Sequence, residues 1–304
     1  MCILAEIADF DHIVTYILFV KGNDMKIGVS GASGKLGKAV VSELLARGGD
    51  VVGISRSPEK IEGEFEKRAG DYDQPEGLVE AYKGLDRLLL IPSSDMRPGA
   101  RGVQLKAAIE AAVQAGVGHI YLMSAAGTRE AEVPALGESY WTGEQTLIKS
   151  GTRWTILRMN YYSESMVEEI MMSKDKGALV GLGDERVAYI SRDDMAGAVA
   201  GALVGEGNAG AIYNLTGPAV ITGTERAEIV SDVLGTPFSF VTIKEDQLKG
   251  GMAQAGLPDI VVAAVLDIKK TFVEGYFDVL TTDVERLSGK APRSFRDVLA
   301  ARVG

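Results

Sequence analysis

Seven residues, Gly31-Ala32-Ser33-Gly34-Lys35-Leu36-Gly37, join a short apolar run to an amphipathic one. Glycines at such a junction permit a tight turn and let backbone amides approach a pyrophosphate, which then sits on the N-terminus of the following helix. The spacing is G-x-x-G-x-x-G rather than the G-x-G-x-x-G of ordinary dehydrogenases. A glycine triplet alone marks only a turn. Between a strand and a helix it reads as a dinucleotide site, with Ser33, Lys35 and Leu36 beside the glycines. Arg56 follows the next apolar run, Val51–Ser55. The residue there meets the adenosine ribose: an acid takes the free 2′-hydroxyl of NAD, whereas an arginine pairs with the 2′-phosphate of NADP. No acid stands at this strand end, so the sequence points to NADP(H). The competing reading of Arg56, and of Lys35 and Lys60, is an ordinary solvated cation.

These residues need elements to position them. Lys26–Ser30 reads as a buried strand, and Leu36, Val40, Val41, Leu44 and Leu45 recur at helical spacing until Gly48-Gly49. Val51–Ser55 is a second strand and a weak third ends near Gly70. Asp73-Gln74-Pro75-Glu76 reads as a helix start with Asp73 as its cap. Arg87–Pro92, His119–Met123 and Trp154–Arg158 read as further strands, separated by helices over Gly102–Ala115 and Gly143–Lys149. Strands alternating with helices predict an α/β fold, a doubly wound parallel sheet of Rossmann type, with ligands beyond the carboxyl ends of the strands. Ile91-Pro92-Ser93-Ser94 and Ser124-Ala125-Ala126-Gly127 are the small, polar ends of two such strands. After Arg158 the rhythm loosens: Tyr161–Lys176 is helical, Ala178–Leu182 a short strand, Ser191 caps an Ala-rich helix, Ala211–Thr216 is a strand, and the stretch from about Thr222 is mostly helical. The expected division is a dinucleotide-binding domain of residues 25–160 plus about 187–217, and a smaller, mostly helical substrate-side lobe of 161–186 plus 218–304.

Composition narrows the chemistry. The 304 residues are 46% hydrophobic and 24% charged, with a formal net charge of −10. That balance speaks against a nucleic-acid footprint, which needs surplus Lys and Arg. The lone cysteine, Cys2, offers neither a disulfide nor a thiolate metal site. His12 and His119 are the only histidines, which excludes a His-rich metal centre and disfavours a Ser-His-Asp hydrolase. The apolar run Ile13–Val20 is too short to cross a bilayer and follows Glu6, Asp9 and Asp11 rather than basic residues. Residues 1–24 therefore read as an extension outside the core, or else as an extra element packed on the body. The expected location is the cytoplasm, with no membrane partner, as a monomer or homodimer.

Several motifs recur together. Gly31–Gly37, Arg56, Gly70-Asp71-Tyr72-Asp73-Gln74-Pro75-Glu76, Gly118-His119-Ile120, Thr155–Glu164 and Ser191-Arg192-Asp193-Asp194-Met195 stand in order, followed by Ala255-Gly256-Leu257-Pro258 and Gly275-Tyr276-Phe277. With these the sequence resembles the NmrA-like atypical short-chain dehydrogenases/reductases, in the pattern of NADPH:quinone oxidoreductases and triphenylmethane reductases, over residues 25–300. The resemblance implies that Asp71 and Tyr72 lie near the adenine. Ile91, Pro92, Ser93 and Ser94 would run along the cofactor, and Asn160, Tyr161, Tyr162 and Ser163 would approach the nicotinamide; Ser124, Ala125 and Glu144 join the same set. Tyr161 and Tyr162 read equally well as core aromatics with bonded hydroxyls.

The catalytic positions depart from pattern. Ordinary short-chain dehydrogenases use a Ser with a Tyr-x-x-x-Lys pair. Ser124 and Tyr140 stand at the Ser and Tyr positions, but Glu144 replaces the Lys. A carboxylate there opposes a tyrosinate instead of stabilising it. Tyr140 is thus a poor base for oxidising alcohols but can still donate to a carbonyl being reduced. The resembled reductases carry His-x-x-x-Glu here, so Tyr140 departs from them too and also reads as a helix-surface aromatic beside Trp141. The expected activity is hydride transfer from NADPH to a small aromatic or quinone-like acceptor. The alternative is a regulator that senses NADP without turning it over.

Overall fold

The computed structural model describes residues 25–132 and 135–303; the expected extension of residues 1–24 lies outside the described residues. The chain opens with β1 (Lys26–Ser30), α1 (Lys35–Ala46), β2 (Asp50–Ser55), β3 (Glu66–Ala69), α2 (Leu78–Tyr82) and β4 (Arg87–Leu90). It continues through α3 (Ala100–Gln114), β5 (His119–Ala125), α4 (Leu136–Ile148), β6 (Arg153–Met159), α5 (Ser163–Ser173), β7 (Ala178–Gly181) and β8 (Arg186–Val187). The last elements are α6 (Arg192–Val204), β9 (Ala211–Leu215), β10 (Ile221–Thr222), α7 (Gly223–Leu234), β11 (Ser239–Thr242), α8 (Glu245–Gln254), α9 (Asp259–Val273), α10 (Asp283–Ser288) and α11 (Phe295–Val303).

Seven strands form one parallel sheet in the order β3-β2-β1-β4-β5-β6-β9. Helices cover both faces, so strands such as β4 and β5 are buried end to end rather than alternating. On one face Leu36, Val40, Val41 and Leu44 of α1 pack with the Ala-rich α6 and with Val284 of α10. On the other, Leu105, Ala108, Ile109 and Ala112 of α3 and Leu147 of α4 meet Leu88, Leu90 and Leu122. Winding reverses between β1 and β4, and a crevice opens there beyond the strand ends. The doubly wound sheet expected from the sequence is therefore present.

A third core gathers Met166, Ile170, Leu179, Val230, Phe272, Phe277 and Phe295 of the smaller lobe with Tyr189, a residue that the expected division gave to the dinucleotide-binding domain. The short strand expected over Ala178–Leu182 is β7, but that lobe carries more strand than its sequence announces: β7 pairs in parallel with β11, and β8 pairs antiparallel with β10. The two residues each of β8 and β10 leave too little periodicity to be read. One cap also differs. Pro75–Gly77 forms a 3₁₀ turn before α2, with Gln74 at its cap position and no capping side chain. The Asp73 carboxylate is occupied elsewhere, accepting from Gln104 Nε2 at 2.9 Å. At α6 the expected cap is made, Ser191 Oγ accepting from the Asp194 amide at 3.0 Å.

Candidate functional site

The glycine turn is built from three separate constraints. Gly31 sits at φ +96°, where side chains are strained, and a Cβ on it would lie 3.1 Å from Ile91 Cβ. A Cβ on Gly37 would fall 2.2 Å from the Gly31 carbonyl oxygen, so only glycine lets α1 start this close to the turn. Gly34 is the extended N-cap of α1, which has neither a capping side chain nor an acid in its first turn. The unpaired amides and positive dipole end of α1 are left for an external anion.

That helix end faces a cleft of about 470 Å³. Gly31, Ser33, Gly34, Lys35, Leu36, Gly37, Arg56, Asp71, Tyr72, Ile91, Pro92, Ser93 and Tyr162 all line it, as do Ser94 and Tyr140. Ser55 Oγ shares a hydrogen with Ser33 Oγ at 2.7 Å and accepts from the Ser57 amide at 3.2 Å, fixing the backbone on both sides of exposed Arg56. Lys35 is exposed and reaches Glu168 at 3.4 Å. The Tyr72 hydroxyl donates to the Ile91 carbonyl at 3.1 Å, and burial pushes its phenol above the usual tyrosine range, so it stays a neutral donor. The dinucleotide fits on these observations: the amides of α1 would hold the pyrophosphate and Arg56 the 2′-phosphate.

Gln104, Arg101 and Arg192 also line the cleft and were not expected there, Arg192 having been named only within the Ser191–Met195 motif. Gln104 is buried in α3, accepts from Ser93 Oγ at 2.5 Å and donates to Asp73, which ties two cleft-rimming loops together. Arg192 stacks on the Tyr162 ring at 4.7 Å.

A second cavity, about 220 Å³, opens beside the first between the sheet edge and the lobe. Ala125, Asn160 and Tyr161 line it with Gly127, Ile268 and Phe277, while Arg101, Tyr140, Met159 and Tyr162 line both cavities. Tyr161 meets Phe272 edge-on at 5.0 Å, and burial raises its phenol above the ordinary range. Asn160 is buried; its Nδ2 donates to the Phe277 carbonyl at 3.1 Å and its Oδ1 accepts from the Tyr161 amide at 2.8 Å. It therefore joins β6 to the lobe.

Three expected site residues lie elsewhere. Ser124, Glu144 and Ser163 are fully or almost fully buried and line neither cavity. Successive residues of a strand point to opposite faces. Ala125 faces the apolar cavity, so Ser124 faces α4, where its Oγ donates to Glu144 Oε1 at 2.5 Å. Arg158 completes the site, donating from Nε and Nη2 to the two Glu144 oxygens at 2.9 and 2.7 Å. The Glu144 carboxylate is thus engaged away from Tyr140. The Tyr140 hydroxyl accepts instead from Arg101 Nη1 at 3.3 Å. Among the described residues no group of three or more His, Cys, Asp or Glu is placed to hold a metal, and no helix is long and apolar enough to cross a membrane.

Comparison with known proteins agrees with this geometry. A family model described as NAD(P)H-binding matches residues 31–205, more than half of the chain. Quinone oxidoreductase 2 of Escherichia coli is 30% identical over 242 residues, covering 77% of this chain and 83% of that protein. The structure of an NADPH-dependent quinone oxidoreductase from Escherichia coli complexed with NADPH superposes with a TM-score of 0.85 at 27% identity, over 91% of this chain and all of that one. The triphenylmethane reductase of Citrobacter sp. complexed with NADP(H) gives 0.81 at 28% identity, over 92% of this chain and all of that one.

Proposed function

The chain belongs to the NAD(P)H-binding family, as one of its NmrA-like atypical short-chain reductases, and from that premise we propose that it reduces a quinone or another conjugated aromatic acceptor at the expense of NADPH. It is an NAD(P)H-dependent oxidoreductase. One observation carries the substrate class: the polar cleft opens directly into an apolar, aromatic-walled cavity through a seam of Arg101, Tyr140, Met159 and Tyr162. The names of the related quinone and triphenylmethane reductases support the same class.

When bound, the reduced dinucleotide supplies a hydride. The protein's part is to hold both reactants at the seam. The N-terminus of α1 and Arg56 would anchor the phosphates, and Tyr161, Ile268 and Phe277 would bury the ring of the acceptor and exclude water. Acceptors of this class delocalise the anion they become, so orientation over the donor supplies most of the rate. Tyr140, which lines both cavities, would hydrogen-bond that anion. Ser124, committed to Glu144, has no part in it. The test is stopped-flow oxidation of bound NADPH with quinone, ketone and alcohol substrates in parallel. Quinones are expected to turn over fastest. Efficient oxidation of a secondary alcohol, or tight NADPH binding with no turnover of any acceptor, would overturn the reading.

A further inference from the structure

Position 144 lacks the lysine that normally stands beside a catalytic tyrosine, yet Tyr140 has a cation as its neighbour. Arg101, in the first turn of α3, lines both cavities. Its Nε donates to the Asp95 carbonyl at 2.7 Å, which holds the guanidinium in place, and its Nη1 reaches the Tyr140 hydroxyl at 3.3 Å. Among the described residues no carboxylate pairs with it. The nearby candidates are taken: Asp95 pairs with Arg97, which holds that carboxyl well below the usual range, and Asp267 pairs with Arg129 at 3.5 Å. A guanidinium has five donors and no acceptor. The Tyr140 oxygen is therefore fixed as acceptor toward Arg101, and its own hydrogen is left to be donated elsewhere. Tyr140 sits on the seam, and Glu144 is turned away to Ser124 and Arg158.

We propose that Arg101 takes the place of the missing lysine: it fixes Tyr140 as the proton donor to the acceptor's oxygen and shares the negative charge that reduction leaves there. The inference rests on reading the apolar cavity as the acceptor site. Hydride addition brings two electrons and one proton's worth of hydrogen to the acceptor and leaves its oxygen as an oxyanion. That oxyanion takes the Tyr140 proton, so one O–H bond breaks on the phenol and one forms on the product. The tyrosinate left behind faces the Arg101 guanidinium and regains its proton from water.

The experiment compares the parent with Arg101→Met, Arg101→Lys, Tyr140→Phe and the Arg101→Met/Tyr140→Phe double variant, each checked by thermal melting. Activity is read as kcat and KM for a benzoquinone. A second readout needs no turnover: 4-nitrophenol binding to the NADP-loaded protein, with its ionised fraction followed by colour. Losing one engaged oxyanion donor costs about 10²-fold in kcat, so Arg101→Met should fall by that order with KM moved less than about threefold. Arg101→Lys should recover at least tenfold of the loss, because a cation within reach is what the position supplies. The double variant should be no slower than the worse single one, since coupled residues are non-additive. The parent should bind 4-nitrophenol ionised, and Arg101→Met should bind it neutral or about tenfold more weakly. A fully active Arg101→Met that still binds the ionised probe overturns the role of Arg101 while leaving the acceptor site standing. A parent that neither reduces the quinone nor binds the probe overturns the acceptor site itself.

Discussion

At the scale of single residues, one added carbon separates the glycines of the turn. On Gly37 a Cβ would meet the backbone of Gly31 at 2.2 Å and of Ala32 at 2.8 Å, neither of which can rotate aside. Gly37→Ala should therefore cost about 1–3 kcal/mol of stability and abolish dinucleotide binding, by melting and fluorescence titration. On Gly34 the nearest atom would be 3.3 Å away and the rest is open cleft. Gly34→Ala should keep its melting temperature and weaken binding alone; equal behaviour of the two variants would mean that the turn is held by something other than this approach. Arg56 gives the next contrast. Losing a charge-assisted pair to a 2′-phosphate should weaken NADPH roughly 10- to 100-fold, and Arg56→Ala should leave NADH unchanged; parallel losses for both cofactors would remove the basis for NADP preference. The glycines and Arg56 were legible in the sequence because the reasons for them are local, a backbone angle and a strand end. Arg101 was not, since its contact with Tyr140 spans 39 residues and exists only once α3 and α4 pack together.

At the scale of elements, Glu144 holds α4 to two strands. It is 1% exposed and receives Ser124 from β5 and Arg158 from β6. Glu144→Ala strands a partly buried guanidinium, at the low end of about 3–5 kcal/mol. Glu144→Gln should cost less, because the amide oxygen still accepts. If either variant lost acceptor turnover without losing stability, Glu144 would belong to the reaction rather than to the scaffold. The sequence placed Glu144 correctly on α4 but not its direction, because strand alternation decides that from the partner side. At the opposite end of β5, His119 lies in register with Arg87 on one neighbouring strand and Arg153 on the other. Burial first, and then the Arg87 charge, lower its imidazole from 6.5 to about 4. An unfolded histidine takes a proton at 6.5 while the folded one resists until about 4. The unfolded state thus binds more protons in that window, and stability is lost as pH falls through it. His119→Gln should flatten the decline between those two values, in urea melts taken across the range; an unchanged slope would mean that the imidazole does not titrate differently on folding.

At the scale of the whole molecule, cofactor and acceptor are expected to depend on different cores. The cleft at the switch point is walled by the ends of β1, β2 and β4, whereas the apolar cavity borrows α9 and the aromatic core of the lobe. That lobe core contains charge. Arg226 and Glu185 are both fully buried and pair at 2.9 Å, and Lys269 stands 3.7 Å from Glu185 and 2.8 Å from Glu169. None of the four lines either cavity. They do lie behind Tyr161, whose ring meets Tyr189 at 6.2 Å, and the Arg226 guanidinium sits over Tyr189 at 5.9 Å. Removing one member leaves an uncompensated charge in the lobe, at about 3–5 kcal/mol, while replacing both by apolar groups of similar volume is often close to neutral. Glu185→Ala should therefore lower the melting temperature and raise KM for the acceptor, because Tyr161 loses the support behind it. The Glu185→Leu/Arg226→Met double variant should recover most of the stability. Through both variants the NADPH dissociation constant should hold within about twofold, since the α1 turn and Arg56 belong to the sheet. NADPH affinity falling in step with acceptor affinity would show that sheet and lobe act as one cooperative body, with the seam at Arg101 and Tyr140 inside it rather than between two halves.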